Sequence, residues 1–125
     1  MLIKGELDNE NGTIKGKVQL TGENISTEKG EMNLGKETST YNPLTINTIK
    51  EFIFTGSPVI NNLIVQKANG VTFTESVTIN NVNDENYSNN LNFYGAQFKK
   101  KDENDFWTIE FKTSGTVTFG SNENS

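Results

Sequence analysis

The sequence predicts an all-β domain, and we expect an antiparallel β-sandwich of about seven to nine short strands with a jelly-roll-like arrangement. A small β-barrel is the structural alternative. Two observations lead to this prediction: apolar and polar residues alternate over short segments, and clusters of Asn, Asp, Gly and Ser separate those segments. With 125 residues the chain is long enough for one core, so we expect a single domain over residues 1–120 and a disordered tail over 121–125.

The first predicted element is a β-hairpin over residues 2–20. Asn11 and Gly12 form a two-residue turn signal of the primed type, in which Gly12 adopts a positive φ. This turn pairs Ile3 with Leu20 in antiparallel strands, with apolar residues on one face and Glu–Lys or Asp–Lys pairs on the other.

The next two segments differ in hydrophobicity. Residues 21–43 contain few apolar anchors, which predicts a polar loop that either is mobile or contributes a short edge strand near residues 31–34. Residues 44–56 are β-branched and apolar on both faces, which predicts one strand that is buried on both sides. Gly56 and Pro58 are expected to end that strand.

Three further hairpins are predicted in the second half of the chain. Their loops fall at residues 68–70, 101–104 and 113–115, where turn-forming residues cluster. The antiparallel pairs that these loops predict are Val65 with Phe73, Phe98 with Trp107, and Phe111 with Val117.

An internal echo runs against this scheme, because Ile-Asn-Asn occurs at residues 60–62 and again at 79–81. Such an echo is typical of the coils of a parallel β-helix, as in a phage spike or a polysaccharide lyase. Two coils cannot bury a core, however, and stacked architectures need at least three repeats. With 19 Asn in the chain, chance explains the echo better, and the antiparallel prediction is kept.

Composition and charge exclude several functions. The chain has no Cys and no His, so it lacks thiol nucleophiles, disulfides and His-based catalytic pairs. The net charge of −5 argues against binding to nucleic acid or to an anionic membrane. Because there is no signal-peptide pattern and no apolar run of membrane-spanning length, we expect a cytoplasmic or virion location.

The segment at residues 80–90 is dense in oxygen-bearing side chains, which raises the question of a calcium site. An EF-hand loop that starts at Asp84 requires Gly at position 89 and Glu at position 95. The chain has Asn89 and Gly95 instead. A non-standard calcium site formed by Asp84, Glu85 and nearby carbonyl groups is the alternative. We favour a turn between strands and predict no metal site and no cofactor.

Two carboxylates, Glu51 and Glu75, interrupt apolar stretches in the way that a catalytic pair would. Inward-pointing charges also protect edge strands from aggregation, and we favour that interpretation. No nucleophile motif or phosphate loop accompanies them, so we expect a protein that is not an enzyme.

The aromatic residues separate into core and surface. In the predicted register Trp107 shares a face with apolar residues and belongs to the core. Tyr41 and Tyr87 are flanked by polar residues and are expected to be exposed. Together with Asn89 and Asn90 they are the residues that we predict to contact a ligand or partner.

The function that this sequence favours is a non-enzymatic protein-interaction or structural module, encoded by a phage as a virion component or as an inhibitor of a host protein. Its expected partner is another protein, either a host protein or a second copy. The alternative is a carbohydrate-binding module, because aromatic rings stack on sugars and amides bind their hydroxyl groups.

Overall fold

The protein is a parallel β-solenoid of about 4 turns. This computed structural model describes residues 1–75, 77–84, 90–93, 97–98, 110–111 and 116–119, with side chains for residues 1–75 and 77–83. Within those residues every strand pair is parallel. The predicted antiparallel sandwich is therefore wrong, as is the alternative of a small barrel, whereas the all-β prediction is confirmed.

The described strands are short, and we number them in chain order. They are β1 (Leu2–Ile3), β2 (Leu7–Asp8), β3 (Lys15–Leu20), β4 (Lys29–Asn33), β5 (Thr40–Asn47), β6 (Glu51–Thr55), β7 (Val59–Ile60), β8 (Leu63–Lys67), β9 (Gly70–Phe73), β10 (Thr78–Ile79), β11 (Val82–Asp84), β12 (Asn90–Phe93), β13 (Gln97–Phe98), β14 (Glu110–Phe111) and β15 (Thr116–Phe119).

These strands form two stacked sheets. The first sheet has nine strands, in which β1, β3 and β5 are followed by the pairs β7–β8, β10–β11 and β13–β14. The second sheet has six strands in the order β2, β4, β6, β9, β12 and β15. The chain therefore passes from one sheet to the other and back in each turn of the solenoid, which we call a circuit. Each circuit adds one level to both sheets, and the backbone hydrogen bonds between strands join residues of successive circuits.

The repeat is most regular in the middle of the first sheet. Tyr41 pairs with Ile60, and Ile60 pairs with Ile79, so 19 residues separate equivalent positions. Because side chains alternate across a strand, each such column keeps the same orientation through successive levels. Tyr41, Ile60 and Ile79 all point inward and are fully buried.

The core lies between the two sheets and is filled by columns of this kind. In the second sheet Met32, Phe54 and Phe73 form one inward column, and the rings of Phe54 and Phe73 stack with centroids 4.9 Å apart and planes inclined at 17°. Phe52 meets Phe54 edge-on at 6.1 Å. Stacking of equivalent apolar residues level upon level buries a continuous core, although each circuit alone could not bury one.

The first predicted hairpin has one correct pair but the wrong direction, and β2 pairs with β4 instead of with β3. Ile3 does pair with Leu20, yet β1 and β3 run parallel, and the chain between them visits the second sheet through β2. Gly12 does not have the positive φ that a primed turn requires. A Cβ on Gly12 would nevertheless overlap the Asn9 side-chain oxygen, so a larger residue there would require the Asn9 side chain to shift.

The predicted strand over residues 44–56 is two strands, because β5 and β6 lie in different sheets with a corner at residues 48–50. The segment is apolar at both odd and even positions because it contains two strands, each of which buries only one of its faces. Residues 21–43 contain β4, which agrees with the predicted strand near residues 31–34. That strand is not an edge, since it pairs with both β2 and β6.

Two of the three later hairpins are also wrong, since the strands on either side of the turns at residues 68–70 and 113–115 belong to different sheets. Val65 lies in the first sheet and Phe73 in the second. Phe98 pairs with Ile79, and Trp107 lies outside the described residues. Phe111 pairs with Asp84, and Val117 pairs with Leu91. In the part of the chain that the structure describes, no helix is long and apolar enough to cross a membrane.

Candidate functional site

A ladder of asparagine amides runs up the outside of the first sheet. Asn62 Nδ2 donates to Asn42 Oδ1 at 2.9 Å, and Asn81 Nδ2 donates to Asn62 Oδ1 at 2.9 Å. Beside it, Asn80 Nδ2 donates to Asn61 Oδ1 at 2.7 Å. The Ile-Asn-Asn echo of the sequence is therefore a structural repeat, and its attribution to chance is wrong.

The ladder exists because the first sheet is interrupted at the same height in successive levels. Asn61 and Asn62 separate β7 from β8, and Asn80 and Asn81 separate β10 from β11. The equivalent residues in β5 are Asn42 and Pro43, which are joined by a cis peptide bond. Stacked amides of one residue type satisfy one another's donors and acceptors from level to level, as in other parallel in-register sheets.

Rows of uncharged side chains flank the ladder on both sides. The outward positions of β5 and of the two levels that follow it form a continuous surface, which we call the amide face. Its members are all exposed or half-buried. They are Thr40, Val59 and Thr78 in one row; Asn42, Asn62 and Asn81 in the ladder; and Thr45, Ile64 and Asn83 in the third row.

None of the nine members of the amide face is ionisable. The register places Lys15 beside Thr40 at the lower edge of the face and Glu110 beside Asn83 at its upper edge. The outer face of the second sheet is different. It carries Lys29, Glu31 and Glu51, and Lys29 Nζ lies 4.0 Å from a Glu51 carboxylate oxygen. The two sheets thus bury similar apolar columns but present different chemistry to their surroundings.

A surface cleft of about 510 Å³ lies at the corner where the second sheet returns to the first. The chain bends sharply there at Gly35 and Gly56, both with φ of +93°. The Glu75 side chain, one level above, accepts a hydrogen bond of 2.5 Å from the Gly56 amide. The cleft is lined by Glu10, Asn33, Gly35, Lys36, Glu37, Thr55, Gly56, Ser57 and Glu75.

A second cleft, of about 410 Å³, lies at the opposite corner. Ile49 is 75% exposed there, and Lys50 Nζ is already engaged with the Thr27 carbonyl at 2.8 Å. The hydroxyl of Thr21 is buried without a hydrogen-bond partner. Because that oxygen is inaccessible even to water, it cannot form a hydrogen bond with a ligand in the cleft.

A buried polar cluster lies beneath the first cleft and ties three circuits together. The Asn9 amide donates to the Leu34 carbonyl at 3.1 Å and to Ser39 Oγ at 3.0 Å. The Tyr41 hydroxyl donates to the same Leu34 carbonyl at 2.7 Å. Burial raises the pKa of Tyr41 to about 12, an effect that the hydrogen bond from Asn9 partly opposes. The cluster satisfies polar groups inside the core and therefore has a structural role.

The residues that the sequence singled out are dispersed. Tyr41 is fully buried, so its predicted exposure is wrong. Asn90 begins β12 and pairs with Thr116, while Tyr87 and Asn89 lie outside the described residues. Contact of these three with a ligand stays a prediction.

The two carboxylates lie apart and at the surface. Glu51 lies on the outer face of β6, and Glu75 lies at a corner, so neither points inward as predicted. Among the side chains that are described, no group of three acidic or other metal-ligating residues is arranged to hold a metal ion.

Sequence reasoning missed Asn42, Asn62 and Asn81. The signal that could have found them was the 19-residue offset of the Ile-Asn-Asn echo, which extends to a third copy in the degenerate form Tyr41-Asn42-Pro43. No protein-family model, curated protein or solved structure matches this chain.

Proposed function

We propose that the protein is a non-enzymatic interaction module that contacts another protein through the amide face. The observation that carries this proposal is that the members of this face are uncharged over three successive levels. Their side chains are also aligned in register from level to level. The central parts of protein interfaces are depleted in charge, because a charge buried without a partner opposes binding. The charged outer face of the second sheet suits contact with water better.

Rigidity supports the same proposal. Asn62 is held by amide hydrogen bonds to Asn42 and Asn81, so the rows of side chains beside the ladder are presented at fixed spacing. A surface that is ordered before binding loses less side-chain entropy on binding. The Asn- and Lys-rich composition without Arg fits an A+T-rich coding sequence. Such a composition is typical of a low-G+C bacterium or its phage. We propose that the protein is phage-encoded, as a virion component or as an inhibitor of a host protein.

Site-specific cross-linking tests this proposal. A photoreactive residue is placed at Ile64 on the amide face or at Ile53 on the outer face of the second sheet, and both proteins are incubated with bacterial extract. We expect a defined protein to cross-link at Ile64 and not at Ile53. Affinity for that protein should then fall about tenfold or more in Ile64→Lys and remain unchanged in Ile53→Lys. Equal labelling at both positions would argue against the amide face as the binding surface.

Carbohydrate binding is the second candidate, and the first corner cleft is the observation that favours it. Its volume of about 510 Å³ lies in the range of small-ligand sites. Its amide, hydroxyl and carboxylate groups are those that hydrogen-bond to sugar hydroxyls. None of the described residues that line the cleft carries an aromatic ring on which a sugar could stack, which is why this candidate ranks second.

A glycan array followed by calorimetry separates the two candidates. If a glycan binds in the cleft, Thr55→Val should weaken binding about tenfold by removing one hydroxyl from the cleft wall, while Ile64→Lys should leave the affinity unchanged. Binding that responds to Ile64→Lys and not to Thr55→Val would place the sugar on the amide face instead. A lack of binding to every glycan on the array would remove this candidate.

A further inference from the structure

The amide face has a property that narrows the choice of partner. The chain carries a net charge of −5, so two copies that approach through charged surfaces repel each other. Among residues 1–75 and 77–83, the acidic side chains lie on the N-terminal circuit, at the corners and on the second sheet, whereas Glu110 pairs with Asn83 at the upper edge of the amide face. The amide face is therefore a surface that can meet its own copy without placing like charges opposite one another.

Periodicity points the same way. The rows of the amide face repeat at each level of the solenoid, at the spacing of about 4.8 Å between hydrogen-bonded strands. A partner that matches row after row must carry the same repeat. A second copy of this chain has the same repeat. Two sheets pack well when the side chains of their facing rows interdigitate and the sheets lie about 10 Å apart.

We propose that two copies of the protein associate by packing their amide faces against each other, with Ile64 and Val59 near the centre of the contact. This inference rests on the proposed function, since it names the partner for the same face. An isologous contact of this kind uses the identical patch on both copies and closes after two subunits. The expected product is a dimer and not a filament.

The size of the face sets the strength of the association. β5 has eight residues and so spans about 26 Å, and three levels rise about 14 Å, which gives about 370 Å² per copy. A standard interface buries about 800 Å² per partner, so the described part of the face supplies about half of that area. We therefore expect a weak dimer that dissociates on dilution.

Sedimentation velocity with matched variants tests the inference. The wild-type protein is measured from about 10 μM to about 1 mM, the range in which an interface of this size is expected to dissociate. We expect the average mass to rise from 13.9 kDa towards twice that value as concentration increases. Ile64→Lys should stay monomeric throughout, because it places a lysine opposite its own copy. Ile53→Lys, with the same change on the other outer face, should associate like the wild type.

Several results would overturn the proposal. A wild-type mass of 13.9 kDa at every concentration would do so, as would equal association of the two lysine variants. Circular dichroism verifies folding, and Thr45→Lys replaces Ile64→Lys if the latter fails to fold. A monomer that still cross-links to a bacterial protein at Ile64 would refute the second copy as partner and leave the proposed function standing. If the protein stays monomeric and no bacterial protein cross-links at Ile64, both the dimer and the proposed function are refuted.

Discussion

The outer faces of the two sheets differ, although their inner faces are built alike. Both sheets send stacked apolar columns into the core, such as Tyr41 and Ile60 in the first and Phe54 and Phe73 in the second. Outside, the first sheet is joined by an amide ladder, and the second carries the weak ion pair of Lys29 with Glu51. Since the core does not require this difference, we attribute it to what each face must contact.

The largest expected effect tests the premise that the inner columns carry the stability. Phe54 is 1% exposed and stacks on Phe73, so Phe54→Ala should lower the free energy of unfolding by about 3–5 kcal/mol through lost burial and a residual cavity. The same change at its outward-facing neighbour, Ile53→Ala, should lower the free energy of unfolding by less than about 1.5 kcal/mol. Urea unfolding monitored by circular dichroism measures both. Similar losses would break the distinction between inner and outer faces.

The next effect concerns the inner face of the first sheet and depends on pH. Tyr41 holds its proton more tightly in the folded state, with a pKa of about 12 against an ordinary value of 10.0 for tyrosine. Below pH 10 the proton is bound in both states and the stabilisation is complete. Between pH 10 and 12 the unfolded chain releases it first, so stability should fall by up to about 1.4 kcal/mol per pH unit.

Tyr41→Phe is the matched control for that pH dependence. It removes the titrating hydroxyl and also the hydrogen bond to the Leu34 carbonyl, so it should be less stable at neutral pH. Its unfolding free energy should, however, decline less steeply above pH 10 than that of the wild type. Parallel declines in the two proteins would show that Tyr41 does not cause the alkaline loss.

A smaller effect is expected at the corner between the sheets. Gly56 has φ of +93°, and a Cβ there would lie 2.6 Å from the Gly35 carbonyl oxygen. Gly56→Ala should therefore cost about 1–3 kcal/mol. Gly5→Ala is the control, because nothing lies within 4 Å of its added Cβ. Thermal unfolding of the two variants should separate them clearly, and equal melting temperatures would contradict the described corner.

The smallest effect compares the two outer faces directly. Asn62→Ala removes two amide–amide hydrogen bonds at a partly exposed site, so it should cost about 1 kcal/mol at any salt concentration. Lys29→Ala removes a partner of a long, exposed ion pair and should cost less than about 0.5 kcal/mol, with any effect screened by salt. Urea unfolding at low and high salt tests the contrast. A larger loss of unfolding free energy in Lys29→Ala than in Asn62→Ala would contradict the expected difference between the two outer faces.

The sequence allowed prediction of the strands but not of how they are joined. Alternation of apolar and polar residues has the same period in parallel and antiparallel strands, so it located strands such as β3, β4 and β8 without their direction. Turn chemistry marked where the chain bends. At Asn69-Gly70 the bend leads from the first sheet to the second and does not return along the same sheet.

The solenoid repeat was hidden because the circuits differ in length. In the second sheet 22 residues separate Met32 from Phe54, and 19 separate Phe54 from Phe73, since the corners absorb insertions. The paired columns around the echo in the first sheet keep a constant offset of 19 residues, but one of the three copies replaces Ile-Asn-Asn with Tyr41-Asn42-Pro43. The amide face could be found only once these residues were brought into register.

The central claim is the parallel solenoid, and backbone proton contacts measured by NMR spectroscopy test it most directly. In the solenoid, cross-strand contacts should link Tyr41 to Ile60 and Ile60 to Ile79, with the amide-to-α-proton pattern of parallel strands. Strong contacts between the α-protons of opposite strands, joining the segment around Val65 to that around Phe73, would instead indicate an antiparallel hairpin and contradict the solenoid.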